Sequence, residues 1–340
     1  MAIDIFSSRL MLAALLQMKP PSTAILDMFF PGLEVFGVEE VDLDVIKGIR
    51  RRAPFVRPTE ASKLMMRLSR SVRKYRPPYV KPKMVTTAGE LLKRPVGVNP
   101  YGLGTSAMGR ATSRLGEDQM EMWEATLRRL ESMAAEAIRT GQVRIKGDGI
   151  DEVIDFLMPA SHKITLAGTD LWTDPAADII GQIRQYKRRV RQSSGLVPNL
   201  AFVGAKVHDA MENHEDTRKK LDNLRMEVGN IVDEFREMGL IFIGIIQGVT
   251  FVAYDEWYID EDTGLEVPMI PDEFMIMGST NARTSRMYGA ILDDEALVPA
   301  AFFPTSWKEK DPPRRYVMLQ SSPMPGFHQP DAFISVQAVA

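Results

Sequence analysis

The sequence predicts an α+β fold organised around one long helix, and three observations lead there. Between Glu117 and Thr140 apolar residues recur at steps of three and four, the period of an amphipathic helix. From Arg50 to Pro100 seven prolines are interspersed with β-branched residues. Proline lacks a ladder donor and breaks helix interiors, so this stretch suits edge strands and an extended hairpin. Beyond Asp174, helical and strand periods alternate without a regular βαβ order.

The elements follow in order. Residues 1–46 alternate short apolar clusters with Pro20, Pro21, Pro31 and Gly32, too broken for a core of their own, and read as an arm. Residues 47–100 form the projecting hairpin. In the long helix, 117–140, Met120, Trp123, Leu127 and Leu130 lie on the core face, and Gly141 stands where a C-cap belongs. Strands at Val143–Ile145 and Val153–Leu157 flank the Gly147-Asp148-Gly149 turn. Asp174-Pro175 reads as a helix start, continued by Ile179, Ile183, Tyr186 and Val190. Leu200–Val203 is a buried strand and 205–213 a helix; a further helix carries Val228, Ile231, Val232 and Phe235. Strands on either side of Gln247-Gly248 pair, and Asp262-Thr263-Gly264 turns a second hairpin.

With 340 residues the chain has room for two compact units of roughly 100–200 residues each. Its 45% hydrophobic and 26% charged content is that of a folded globular protein. There is no cysteine, which excludes disulfides, thiolate metal sites and a cysteine nucleophile. The apolar run Met11–Leu16 follows Asp4 and ends at Lys19-Pro20-Pro21, which argues for a short helix rather than a signal peptide, and no run approaches the roughly 20 apolar residues of a membrane span. The expected site of synthesis is the cytoplasm.

Charge is unevenly placed. Residues 47–94 hold 15 Lys or Arg against Glu60 and Glu90, while the remainder holds 27 basic against 43 acidic residues, so a net charge of −3 hides a +13 segment and a −16 remainder. Three readings are open: a solvated loop, a nucleic-acid surface, or docking on an acidic neighbour. Stacking residues are sparse there, only Phe55, Tyr75 and Tyr79, and docking on another copy accounts for both halves of the asymmetry.

Local imitations of active sites lose their meaning in context. Asn213-His214-Glu215, with His208 six residues before His214, resembles part of a metallophosphatase site but lacks the flanking ligand motifs. Gly102, Gly104 and Ala107 imitate a dinucleotide loop without a leading strand. Asp260, Asp262 and Gly264 resemble half a calcium loop between strands rather than helices. The histidines at 162, 208, 214 and 328 suggest no Ser-His-Asp arrangement, so no catalytic, cofactor or metal site is expected. The 21 methionines, Met65, Met66, Met275 and Met277 among them, read mainly as adaptable core filling.

Longer motifs carry more. EFMIMGSTNARTSRMYGAIL from Glu273 to Leu292 is followed by KDPPRRYVMLQSSPMPGFHQPDAFISVQAV from Lys310 to Val339. Phe29-Phe30, Pro78–Lys83 (PYVKPK) and Asp170–Ala176 (DLWTDPA) precede them in order. Together they resemble the lambda-type major capsid proteins of tailed bacteriophages, the phage major capsid protein E family, over nearly the whole chain.

The resemblance implies the tailed-phage capsid fold of the Hong Kong ninety-seven type. Its parts map by order to an N-terminal arm (1–46), an extended loop (47–100), a peripheral domain with the spine helix (101–172) and an axial domain (173–297), with residues 298–340 returning to one or both domains. It further implies assembly as hexamers and pentamers into an icosahedral head. Partners would be a scaffolding protein acting in trans, a portal protein, a decoration protein and packaged double-stranded DNA. In such a shell the loop lies over an adjacent subunit, which would use Arg57, Arg67, Arg70, Arg73, Lys74, Lys81 and Lys83. Lys63, Lys74, Lys81 and Lys83 would be the donors for a Lys–Asn crosslink, though the lambda-type members use a cementing protein instead. The alternatives are an encapsulin-like compartment and a DNA-binding protein using residues 47–94.

Overall fold

A computed structural model describes residues 6–18, 23–46, 52–62, 64, 70–87, 107–147, 149–224, 235–236, 238–293 and 299–340. Its centre is a six-stranded mixed sheet. This is assembled from β7 (Lys163–Thr165), β8 (Leu200–Val203), β9 (Leu240–Ile246), β10 (Val249–Tyr254), β13 (Phe274–Gly278) and β18 (Phe333–Gln337), in the order β7-β18-β13-β8-β10-β9.

Both faces of this sheet are covered, which is why its strands read as continuous apolar runs. One face carries Ala201, Val203, Phe251, Met275, Met277 and Ile334. It packs on Ile183, Tyr186 and Val190 of α4 (Ile179–Ser193) and Val207 and Met211 of α5 (Ala205–Asn213). Side chains alternate along a strand, so Leu200, Phe202, Val252, Ile276 and Phe333 point the other way. There they meet α2 (Ala24–Phe29) and the long helix α3 (Ala107–Thr140). The second core is aromatic at its heart: Phe29 meets Phe202 and Phe333 edge-on at 5.3 and 5.1 Å, and Phe327 lies 5.0 Å from Phe333.

The remaining strands form smaller sheets around this centre. Gly32–Val35 (β1) runs parallel to β14 (Thr284–Tyr288), whose other edge takes β17 (Pro323–Phe327). β2 (Val41–Ile46) pairs with β3 (Arg70–Tyr75), and β5 (Gln142–Gly147) with β6 (Ile150–Asp155). β11 (Trp257–Ile259) and β12 (Glu266–Pro268) make a short hairpin, while β15 (Phe303–Glu309), β16 (Arg314–Gln320) and β4 (Lys83–Thr87) make a three-stranded sheet. A third core lies under the last of these, between Trp123 and Leu127 of α3, Val317 and Leu319 of β16, and Met11 and Leu15 of α1 (Ser8–Gln17). α6 (Glu215–Leu224) follows α5.

Several expectations change. Residues 24–46, read as part of an arm, are built into the main core, where Ile25, Leu26, Phe29 and Phe30 are buried. Among its described residues the basic segment does not pair with itself. β3 pairs with β2 and β4 pairs with β16, because Pro77 and Pro78 interrupt the ladder between them and Val41, Leu43 and Val45 offer β3 a buried-faced partner. The helix after Asp174 starts at Ile179, and Asp178 caps it by accepting Gly181 N–H at 2.8 Å. Asp174 instead closes a turn, accepting Ala176 N–H at 2.9 Å. The long helix begins at Ala107, ten residues before its clear apolar period. The reading of a helix through Val228, Ile231 and Val232 lies outside the described residues.

Gly141 ends α3 with φ +74°, and a β-carbon there would lie 2.5 Å from Met158 Cβ, so both conformation and space call for glycine.

Glu131, on the core face of α3, joins three distant segments. Its Oε1 accepts Ile25 N–H of α2 at 3.0 Å and the Tyr254 hydroxyl of β10 at 2.9 Å. Only 3% of the residue is exposed. Burial is the main reason its carboxyl is pushed up to about 7, with Asp27 and Glu256 adding repulsion against the two hydrogen bonds that favour the anion. A raised folded-state value means stability is full below the unfolded value and lost as pH rises through the folded one. Between pH 5 and 8 the unassembled subunit should lose about 2–3 kcal/mol from this group, and Glu131→Gln should remove that part of the slope. Denaturant unfolding of both proteins at the two pH values checks it; equal slopes would assign the titration elsewhere.

Candidate inter-subunit surfaces

The β2–β3 ribbon carries much of the basic segment. On β2, Val41, Leu43 and Val45 are buried, and the period of two places Asp42 opposite Lys74 across the ladder. Arg73 and Lys74 are exposed on β3. The Arg73 guanidinium is held above its ordinary range chiefly by the Tyr75 hydroxyl, and that hydroxyl donates to Asp155 O at 2.7 Å, which anchors the end of the ribbon to β6. Arg76 pairs with Glu39 at 3.1 Å.

Between the two strands Arg57 is exposed, and Phe55 and Leu64 are 93% and 97% exposed. Arg70 opens β3 opposite Ile46, while Arg67, like Lys63, lies outside the described residues.

Lys81 and Lys83 belong to a different place. Past Pro77-Pro78 the chain returns to the body, with Lys81 Nζ 4.6 Å from the Tyr79 ring centre and Lys83 Nζ 5.1 Å from that of Tyr316. Tyr316 stacks on Trp307 at 5.3 Å. The two lysines therefore stand over rings of their own chain, a contact that draws on the ring quadrupole. The six basic residues of this set that are described divide between the ribbon, with Arg57, Arg70, Arg73 and Lys74, and the flank of the β15–β16–β4 sheet, with Lys81 and Lys83.

The helix residues also separate. Trp123 and Leu127 are buried in the third core, with Trp123 edge-on to Phe302 at 6.0 Å, and Met120 is partly buried beside them. Leu130 is buried in the main core. Glu131 was not singled out from sequence, although its signal is there: it falls three residues before Ala134 and four after Leu127, inside the apolar stripe. Arg286 was also missed. It crosses from β14 to α2, with Nη2 2.5 Å from Asp27 Oδ1 and Nε donating to Phe30 O at 2.9 Å.

The imitations of active sites have local structural roles. His208 Nε2 lies 3.5 Å from Glu212 one turn on, and His214 is buried with Nδ1 3.5 Å from Thr217 Oγ1. Asp260 accepts from Thr263 in the β11–β12 turn, and Asp262 pairs with Lys146 at 2.7 Å. Among the described residues no group of three or more metal-ligating side chains comes together. Gly102 and Gly104 lie outside them.

A family model described as phage major capsid protein E matches residues 7–338. The chain belongs to that family. It is 29% identical to the major capsid protein of Enterobacteria phage P21 and 26% identical to that of Escherichia phage lambda, in each case over 98% of this chain and 99% of the relative. A crystal structure described as a capsid protein of an Escherichia coli CFT073 prophage covers all of both chains with a TM-score of 0.77 at 23% identity. The bacteriophage PhiM1 mature capsid subunit matches with a TM-score of 0.50 at 13% identity, over 94% of this chain and 87% of its own. The fold is that of tailed-phage capsid proteins. No helix among the described residues is long and apolar enough to cross a membrane.

Because Arg57 is exposed between the strands, Arg57→Glu should leave the unassembled subunit's melting temperature within about 2 °C of wild type, as surface substitutions away from packed features do. A larger drop in thermal unfolding would assign it a role inside the subunit.

Proposed function

We propose that this chain is a major capsid protein whose copies assemble as hexamers and pentamers into the icosahedral head around phage double-stranded DNA. The observation that carries this is the family match over residues 7–338, reinforced by relatives named as major capsid proteins along their whole length. Its work is mechanical rather than catalytic. The subunit presents docking surfaces, and repetition around closed rings turns weak contacts into a stable shell.

In this reading residues 1–46 correspond by order to the arm, with 24–46 packed into the subunit's own core, the basic segment 47–100 acts as the extended loop, 101–172 as the peripheral domain and 173–297 as the axial domain, with 298–340 shared between them. The ribbon's Arg57, Arg70, Arg73 and Lys74 attach it to acidic surface on an adjacent copy. Exposed ion pairs contribute only about 0–1 kcal/mol each, so attachment depends on many of them. A scaffolding protein in trans directs closure, a portal occupies one vertex and a decoration protein reinforces the exterior. The acidic remainder of the chain limits adhesion to the packaged DNA, since attraction to phosphate requires basic groups.

Negative-stain microscopy of the protein expressed with its neighbouring genes should show closed shells. Particles built with Arg57, Arg73 and Lys74 reversed to Glu should fail to close or come apart at lower salt than wild type. Monomers that never assemble, in either protein, would move the basic segment to the DNA-binding reading.

No autocatalytic crosslink forms. Lys81 and Lys83 are seated on rings of their own chain, and a decoration protein supplies the reinforcement. Denaturing electrophoresis of mature particles should give a single subunit band; a ladder of covalent multimers would overturn this.

A further inference from the structure

The short helix α2 has no cap of its own. It has six residues, far fewer than an isolated helix needs in water, and its N-cap, Thr23, makes no side-chain hydrogen bond to the first turn. The first amides of a helix have no partner inside it. Here they are met from two distant elements: Ile25 N–H donates to Glu131 Oε1 of α3 at 3.0 Å, and Ala24 N–H donates to the Tyr254 hydroxyl of β10. That hydroxyl in turn donates to Glu131 Oε1 at 2.9 Å, so one buried pair closes the end of the helix.

The charges acting on Glu131 repel its anion: Asp27 from α2 and Glu256 from just beyond β10. Arg286 of β14 is taken up by Asp27 and by Phe30 O. Burial, reinforced by the two carboxylates, outweighs the hydrogen bonds that favour the anion and holds the carboxyl at about 7. Tyr254 remains a donor throughout, because burial and then Glu131 push its hydroxyl upward. The core on the other face of the six-stranded sheet, against α4 and α5, contains none of these residues. A change of charge at Glu131 is therefore felt first where α2 meets α3.

We propose that Glu131 and Tyr254 form a proton-governed latch on the N-terminus of α2: protonated Glu131 holds the helix on α3, and loss of that proton lets α2 open from α3 as a unit while the six-stranded sheet stays folded. A carboxyl released into water titrates at its ordinary 4.5, below its value in the latch. The held form is therefore favoured in full below pH 4.5, and that advantage is lost as pH rises through the value in the latch. Ile25, Leu26, Phe29 and Phe30 draw α2 into the main core in either charge state, so opening is rare and the proton sets how often it happens. Because α2 leads directly into β1, the latch also sets how firmly this part of the chain is held on the body.

Hydrogen exchange of the unassembled subunit tests this independently of shell formation. It is followed by peptide mass spectrometry between about pH 5 and pH 8 and corrected for the intrinsic pH dependence of exchange. Peptides covering residues 24–30 should exchange faster than those covering 200–203 and 274–278 at every pH, and should lose about 50- to 100-fold of their protection across the range. Glu131→Gln should make protection of 24–30 insensitive to pH. Should that variant not fold, Tyr254→Phe serves in its place: removing a donor that favours the anion should move the midpoint of the change to higher pH. Equal protection of 24–30 and the sheet peptides at each pH would mean that α2 opens only with the whole subunit, which overturns the latch. Protection of 24–30 that does not vary with pH in the wild type overturns it as well.

Discussion

One buried carboxylate ties this fold together. Glu131 sits in the C-terminal half of the long helix and takes hydrogen bonds from residue 25 on one side and residue 254 on the other. An acid in that position is costly to ionise and costly to leave unpaired, so all three segments must arrive together. Around it the Phe29, Phe202, Phe327 and Phe333 rings close the same junction by shape. The hydrogen bonds fix where α2 lies on α3, and the rings fill the space that placement leaves.

The junction explains why residues 24–30, short and bounded by prolines, are ordered at all. α2 has six residues, well below the length at which a helix holds itself in water. It persists because Ile25, Leu26 and Phe29 are buried and because Arg286, some 260 positions later in the chain, reaches back to Asp27 and Phe30. The exposed basic side chains of the β2–β3 ribbon lie away from this centre, while Val41, Leu43 and Val45 hold the ribbon's other face in the core.

Local signals in the sequence were faithful. Gly141 does end the long helix, β5 and β6 do turn at Gly147–Gly149, Leu200–Val203 is a fully buried strand, and the Gln247-Gly248 turn joins two paired strands. Each of these depends on a few neighbouring residues. Pairing between remote segments was not legible, since nothing in Arg70–Tyr75 names Val41–Ile46 as its partner, nor Lys83–Thr87 the strand after residue 313. Asp174 and Asp178 are equally good caps by composition, and only the packing of Ile179 and Ile183 decides between them. As for the candidate surfaces, excess positive charge located the ribbon, but its partition from Lys81 and Lys83 depends on rings at 79 and 316 that charge counting does not see.

The place of β18 has a consequence for synthesis. Phe333–Gln337 is not added at an edge; it lies between β7 and β13, parallel to one and antiparallel to the other. While the ribosome still holds those residues, β7 has no partner in the sheet and Phe29 lacks the Phe333 ring. A nascent chain therefore cannot complete its core during elongation, and a product truncated before residue 333 would lack the strand that joins β7 to the rest. The topology thus ties completion of the folded subunit to completion of its synthesis.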